Sequence, residues 1–401
     1  MNTATQTREY FQTVAPGQLS LRILRNAEAV ERFRSAWERL QWHPNADVDF
    51  FLLINTLRKQ EPYVVVILQG EEVVAIAAAR LVDARHRCAI GYRTLYAPKV
   101  KELMLIHGGV MGNISPAIAS LMFEGLTKAL REKIADVLSL WHIRSDSLLF
   151  ELSKRYHPLI CRDYVPREQA HYELVLPESV DRLFSNLKSK RRSELRRLPK
   201  VLEKDYPGQV RIQCFESTED AVRFCSEAEQ VASRSYLRAL GVGFVNNEES
   251  QETVKLSARQ GGFVGYILYV MDKPCAFWSA QLYNGVGFLW STAFDPQFHK
   301  YEVGTILLVN VIEDLVKRKQ DVARVDFGLG DARYKSLFGT DKWQEVSLYL
   351  FASSFRGVSI NLVRTPLLAS TRVTQIVLKR LRLEERLKRL WRTRARKHLE
   401  Q

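Results

Sequence analysis

The feature that most limits the fold is a block that occurs twice. Each copy runs strand, loop, helix of about four turns, strand. The first copy spans residues 103–143 and the second 287–327. In the second, Leu307, Val311 and Leu315 recur at helical spacing, with Leu308 and Ile312 beside them. The flanking runs at 287–294 and 324–327 are short and apolar, as strands are. No sequence identity links the copies, so the repeat is one of topology. With 401 residues, the chain suits two domains of ordinary size.

The rest of the chain fits that division. Residues 1–18 read as a loose arm. Strands are expected at 19–24, 63–69 and 73–82, the last two around a reversal at Gly70-Glu71, where the glycine permits a tight turn. Helices are expected at 27–40 and 50–57, and strands at 88–95 and 103–107. A Gly-rich loop follows from His107 to Gly112, then a helix over 116–133 and a strand at 137–143. The second half predicts a strand at 171–176, then a helix over 180–198 that Pro199 kinks or ends. A strand at 210–215 and a helix over 219–237 come next. Strands at 263–271, 274–283 and 287–294 lead to a turn-rich loop at 295–302 and a helix over 303–318. Strands at 324–327 and 343–351 close the half. The expected boundaries are an arm at 1–18, domains at 19–165 and 166–355, and a basic helix at 356–401.

Charge narrows the function. The net charge is +14, which suggests nucleic acid until it is located. Residues 371–401 carry +8 and residues 188–204 carry +6, so the other 353 residues are formally neutral. In 371–401, Ile376, Leu383, Leu387, Leu390 and Trp391 form an apolar stripe among Arg and Lys. Such a helix can lie on an anionic membrane, dock on an acidic partner or pack on its own protein. The first twelve residues show no signal peptide, and no apolar run reaches the ~18–20 residues of a membrane span. Five widely spaced cysteines read as reduced, mostly buried thiols. The expected location is the cytoplasm or the inner face of the membrane. The histidines are scattered along the chain without ligand spacing, so no metal is expected.

The chemistry concentrates at 288–339. The loop 297–305 feeds directly into a helix, and a helix N-terminus offers free N–H groups and positive potential to a phosphate. Gly304 would let an anion approach the backbone. After the helix comes Val325-Asp326-Phe327-Gly328, then Tyr334-Lys335 and Phe338-Gly339. This ordered set resembles the second domain of the Fem peptidyltransferases and the CelD/BioF-like acetyltransferase domains of the GNAT superfamily. The Lys/Arg-rich run from Leu187 to Arg196 resembles the helix that opens that domain. His107-Gly108-Gly109 stands where the first domain carries its Gly-rich turn. The usual donor loop, Arg/Gln-x-x-Gly-x-Gly/Ala, is reduced here to Gln297 and Gly304. The resemblance implies tandem GNAT-like α/β domains, each a mixed twisted sheet flanked by helices, the first degenerate for donor binding.

It also implies roles. The donor would be acyl-coenzyme A, acetyl-coenzyme A first, held by His299, Lys300, Tyr301, Glu302, Val303, Gly304 and Thr305. Lys335 would stabilise the oxyanion. Tyr334 would protonate the leaving group, stack on substrate or sit in the core. Asp326 would orient or deprotonate the acceptor amine, or cap a turn. Arg191, Arg192, Trp290 and Asp331 would contact the acceptor, although a solvated helix face, core packing and a turn are the plainer readings of these residues. The acceptor would be the amino group of a sugar, an amino acid or an envelope precursor. Two alternatives stay open: a Fem-type ligase fed by aminoacyl-tRNA, and a non-catalytic scaffold tethered by its tail.

Overall fold

The computed structural model describes residues 18–380 apart from 91, 92, 240, 319 and 320. The expected arm and most of the basic tail lie outside the described residues. The described residues form two compact units: 18–169 with 344–380, and 170–343.

In the first unit the strands stand in the order Leu19–Leu24, Glu61–Gln69, Glu72–Arg85, Lys99–Gly112, Val137–Arg144 and Asp341–Phe351. Neighbours are antiparallel except Lys99–Gly112 with Val137–Arg144, which run parallel. The helix Pro116–Arg131 makes that crossover. Ser115 caps it by accepting from the Ile118 N–H at 3.3 Å, and Pro116 occupies the first turn, where no N–H is needed. Strand Glu61–Gln69 is buried on both faces, which is why it reads as an unbroken apolar run. Tyr63, Val65 and Ile67 pack with Met122, Leu126 and Leu130. Val64, Val66 and Leu68 pack with Trp37, Val48 and Phe51 on the other side. Gln69 pairs with Glu72, so the reversal is Gly70-Glu71 as expected.

The second unit repeats the plan. Its strands stand in the order Val210–Phe215, Phe263–Val270, Lys273–Tyr283, Val286–Phe294, Arg324–Leu329 and Arg167–Val175. Only Val286–Phe294 and Arg324–Leu329 are parallel, and the helix Val303–Lys317 joins them. Val264, Tyr266 and Leu268 face that helix, through Leu307, Val311 and Leu315. Phe263, Ile267 and Tyr269 face the helix Thr218–Arg234 through Phe224, Ala228 and Val231.

Several expectations need correction. The strand Asp341–Phe351, assigned by sequence to the second domain, pairs with Val137–Arg144 of the first unit. The helix Phe355–Arg380 also belongs to the first unit. Arg364 binds Asp163 at 2.7 and 2.9 Å, and Asn361 donates to Ile160 and Arg162 carbonyls. The first unit thus takes its closing strand from beyond its own contiguous stretch, whereas the strand Arg167–Val175 opens the second unit and pairs with Arg324–Leu329. His107–Gly112 is not a loop but the end of the strand Lys99–Gly112. Gly108, at φ +76°, lies beside a register shift opposite Ala77–Ala79, and Gly112, at φ +98°, pairs with Ala75. The expected helix 27–40 is two helices, Ala27–Glu31 and Arg34–Leu40. The expected helix 180–198 breaks at Asn186–Lys188, and Pro199 lies within the helix Ser189–Asp205 instead of ending it. The turn-rich loop is largely a 3-10 helix, Pro296–Tyr301. All five cysteines are free; four are buried and Cys214 is exposed.

Candidate active site in the second unit

The parallel pair holds together for three positions only: Val286 with Arg324, Gly287 with Val325 and Phe288 with Asp326. Beyond these, each strand follows its other neighbour. Trp290 is the extra residue in a bulge opposite Ser279–Ala280. Phe327 is the extra residue in a bulge before Gly328, which pairs with Tyr172. Bulges bend strands and break pairing, so the two chains part at Phe288 and Asp326.

One side of the parting leads to the N-terminus of Val303–Lys317. Glu302 precedes it in the left-handed region, at φ +51°. Its side chain makes no cap hydrogen bond, because Arg191 holds the carboxylate at 2.9 Å. The Thr305 and Ile306 N–H groups donate to the Glu302 carbonyl, which leaves those of Val303 and Gly304 as the orphan donors of the first turn. A Cβ on Gly304 would touch Phe294 at 3.4 Å, an ordinary contact. The Trp278 indole donates to the Gly304 carbonyl at 3.1 Å and braces the turn. His299 and Lys300 are exposed, and Lys300 pairs with Asp205 at 3.4 Å. Tyr301 and Val303 are buried, and the Tyr301 hydroxyl donates to Asp205 at 2.6 Å. Those two side chains belong to the packing beneath the helix start rather than to its surface.

The other side carries the ionisable groups. Asp326 Oδ1 accepts from the Gly328 N–H at 2.5 Å and lies 2.8 Å from His171 Nε2. Gly328 reaches this bond through φ +66°. His171 is buried and stacks on Trp343 with ring centroids 4.3 Å apart and planes 12° apart. Lys335 is only 8% exposed, and its ammonium donates to the Leu329 carbonyl at 2.5 Å. Burial pushes its pKa down to about 8, against the pull of Asp326 and Asp331. Tyr334 packs edge-on against Trp278 and Phe327, and burial drives its hydroxyl pKa upward. It is therefore a neutral phenol, able to donate a hydrogen bond but not to hold a phenolate. Asp331 is exposed and accepts from the Tyr172 hydroxyl at 3.4 Å.

The structure brings Asp326, Tyr334 and Lys335 to one end of the parted strands, and Gly304 and Thr305 to the other. Burial disfavours the charge on Arg191, but bonds to Glu302 and Glu194 more than offset it, so this guanidinium already has two carboxylates. Arg192 and Trp290 are partly exposed. Sequence reasoning missed His171. It belongs to no motif, and only strand pairing brings it to Asp326, 155 residues away.

Residues 189–336 match the family described as an acetyltransferase (GNAT) domain. The match falls inside the second unit, which carries a GNAT-superfamily domain. Among curated proteins, none matches the chain by sequence. Three solved structures are similar. The C-terminal domain of a putative lysylphosphatidylglycerol synthetase from Agrobacterium fabrum is 12% identical, covering 86% of this chain and 96% of that one, with a TM-score of 0.49. A tandem GNAT protein from the clavulanic acid biosynthesis pathway is 14% identical, covering 84% and 99%, at 0.46. FemX is 9% identical, covering 74% and 89%, at 0.46. At these identities and scores the similarities do not bear on substrate. No helix among the described residues is long and apolar enough to cross a membrane.

Proposed function

We propose that this chain, with a GNAT-superfamily domain in its second unit, is an N-acyltransferase. It moves an acyl group from acyl-coenzyme A, acetyl-coenzyme A first, to the amino group of a sugar, an amino acid or an envelope precursor. One observation carries the reading. The strands part with an uncapped helix N-terminus on one side and a buried, depressed lysine on the other.

Each group then has a task. The Val303 and Gly304 N–H groups bind the donor's diphosphate, with Lys300 and His299 exposed beside them. The acceptor nitrogen attacks the thioester carbon, and the carbon–sulfur bond breaks. Lys335, cationic below about pH 8, faces the developing oxyanion. Asp326, fixed by His171 and the Gly328 N–H, orients the amine and receives its proton. Tyr334 stays a neutral phenol and donates a hydrogen bond to the departing thiolate, which takes up the proton released by the amine. Arg191 acts indirectly, by drawing the Glu302 carboxylate towards itself. Residues 371–401, with their +8 charge, meet an anionic membrane face or an acidic partner in the cytoplasm.

The rival donor is aminoacyl-tRNA, whose ester would use the same groups. The exposed Arg196, Arg197 and Lys200 on the basic helix favour it. Calorimetric titration with acetyl-coenzyme A and with charged tRNA separates the two. Thiol release on adding glucosamine or free amino acids then reports transfer. The expected result is saturable acetyl-coenzyme A binding and amine-dependent thiol release. Binding of charged tRNA alone would move the reading to a ligase. Binding of neither would leave a non-catalytic scaffold.

A further inference from the structure

In the first unit the parallel strands pair from Glu102 with Val137 to Leu105 with Leu140, then part. This is the topological counterpart of the parting at Phe288 and Asp326. His107 and His142 stand on the two parted ends. Trp141 and His142 together oppose Ser347 in a bulge, and His142 takes φ +54°, a costly backbone for a residue with a side chain. The bulge is held by the His142 N–H, which donates to Ser347 Oγ at 3.2 Å.

Five rings follow one another here. Centroids lie 5.3 Å apart for Trp42–His43, 4.4 Å for His43–His107, 5.3 Å for His107–His142 and 5.6 Å for His142–Trp141. The buried Glu345 carboxylate is 3.6 Å from His107 Nε2 at the centre. His43 seats against Gly108, where a Cβ would come within 2.4 Å of it. The two ends are wet: Trp42 is 49% exposed and Trp141 37%. Both indoles are nevertheless fixed. Trp42 donates to the Val110 carbonyl at 3.0 Å, and Trp141 bonds the buried Glu102 carboxylate.

We propose that this ladder is a binding site for a sugar ring of the pyranose type. Fixed, exposed indole faces suit the C–H face of a sugar, and their order is already set before the ligand arrives. His43 Nδ1 already accepts from the Asn45 N–H and His142 Nδ1 bonds Ser347 Oγ, so recognition falls on the two indole faces, with the imidazoles setting their order. None of the ladder residues is Lys or Arg, and the nearby Arg144 is paired with Asp146, so the ladder is not built for phosphate. The site names the acceptor class of the acyl-transfer reading and rests on that reading for its purpose, but binding itself needs no donor.

The test titrates the full chain with glucosamine, N-acetylglucosamine, glucose and inorganic phosphate, without donor. Indole fluorescence and saturation-transfer NMR report binding. The expected result is saturable binding of the sugars in the millimolar range, weakened about tenfold or more by Trp42→Ala and by Trp141→Ala. Trp42→Ala, at an exposed position, should keep the wild-type melting profile; Trp141→Ala also removes a hydrogen bond from the buried Glu102 and should melt lower, and both should keep acetyl-coenzyme A affinity. No sugar signal up to about 50 mM, a signal indifferent to both substitutions, or displacement by phosphate would each overturn the proposal. Retained donor binding in these variants keeps its failure separate from failure of the acyl-transfer reading.

Discussion

Replacing Lys335 with Met should make the protein more stable and less active. The ammonium is 8% exposed, and burial lowers its pKa from 10.5 to about 8. That fall corresponds to roughly 3 kcal/mol of cost for keeping the charged form in the folded state at pH 7. Methionine has similar length and no charge. It removes the cost but also the bond from the charged ammonium to the Leu329 carbonyl, worth about 2 kcal/mol. The net expectation is a gain of about 1 kcal/mol at pH 7. The sign then fixes the pH dependence. Below pH 8 both folded and unfolded chains hold the proton, and the wild type bears the full cost. Between about 8 and 10.5 the folded form releases the proton first, so the wild type recovers stability. The advantage of Lys335→Met should therefore vanish by about pH 10.5. Urea denaturation of both proteins at pH 7 and pH 10 measures this. A variant less stable than wild type at pH 7 would show that Lys335 is a structural residue and refute the reasoning.

Three further outcomes follow from the geometry. Asp163→Asn should cost the first unit about 3–5 kcal/mol, because the 6%-exposed Arg364 side chain would lose its carboxylate; calorimetry should show that unit's transition falling alone. Burial, then the Arg364 charge, holds His86 at a pKa of about 4, so the unfolded chain takes up a proton first as pH drops below 6.5. The first unit should lose up to roughly 3 kcal/mol between pH 6.5 and 4, and His86→Phe should flatten that slope in acid titrations followed by circular dichroism. Gly304→Asp should weaken acetyl-coenzyme A binding about tenfold or more by calorimetry, whereas Gly304→Ala, whose Cβ meets only Phe294, should keep wild-type stability.

Local order was legible where one element's own pattern decided it. The helix at 303–318 and the strand at 324–327 were readable because their apolar spacing matches the faces they bury. The break at Asn186–Lys188 was not, because apolar positions continue across it in register while the backbone turns. The closing strand of the first unit was unreadable for another reason. Nothing within 341–351 records that its partner lies some 200 residues earlier, at Val137–Arg144. Lys335, Tyr334 and Asp326 could be singled out because they lie close together in sequence. His171 could not, nor could the ring ladder, whose members come from the ends of three separate stretches. Histidines that look scattered along the chain are neighbours in space, and only pairing and bulges bring them together.

Central to this account is that Lys335 acts on the transition state and not on donor binding. Single-turnover transfer from radiolabelled acetyl-coenzyme A, compared between wild type and Lys335→Ala, tests it most directly. The predicted result is an unchanged donor dissociation constant with a transfer rate about 10²-fold lower or worse. Transfer by Lys335→Ala at the wild-type rate would contradict it.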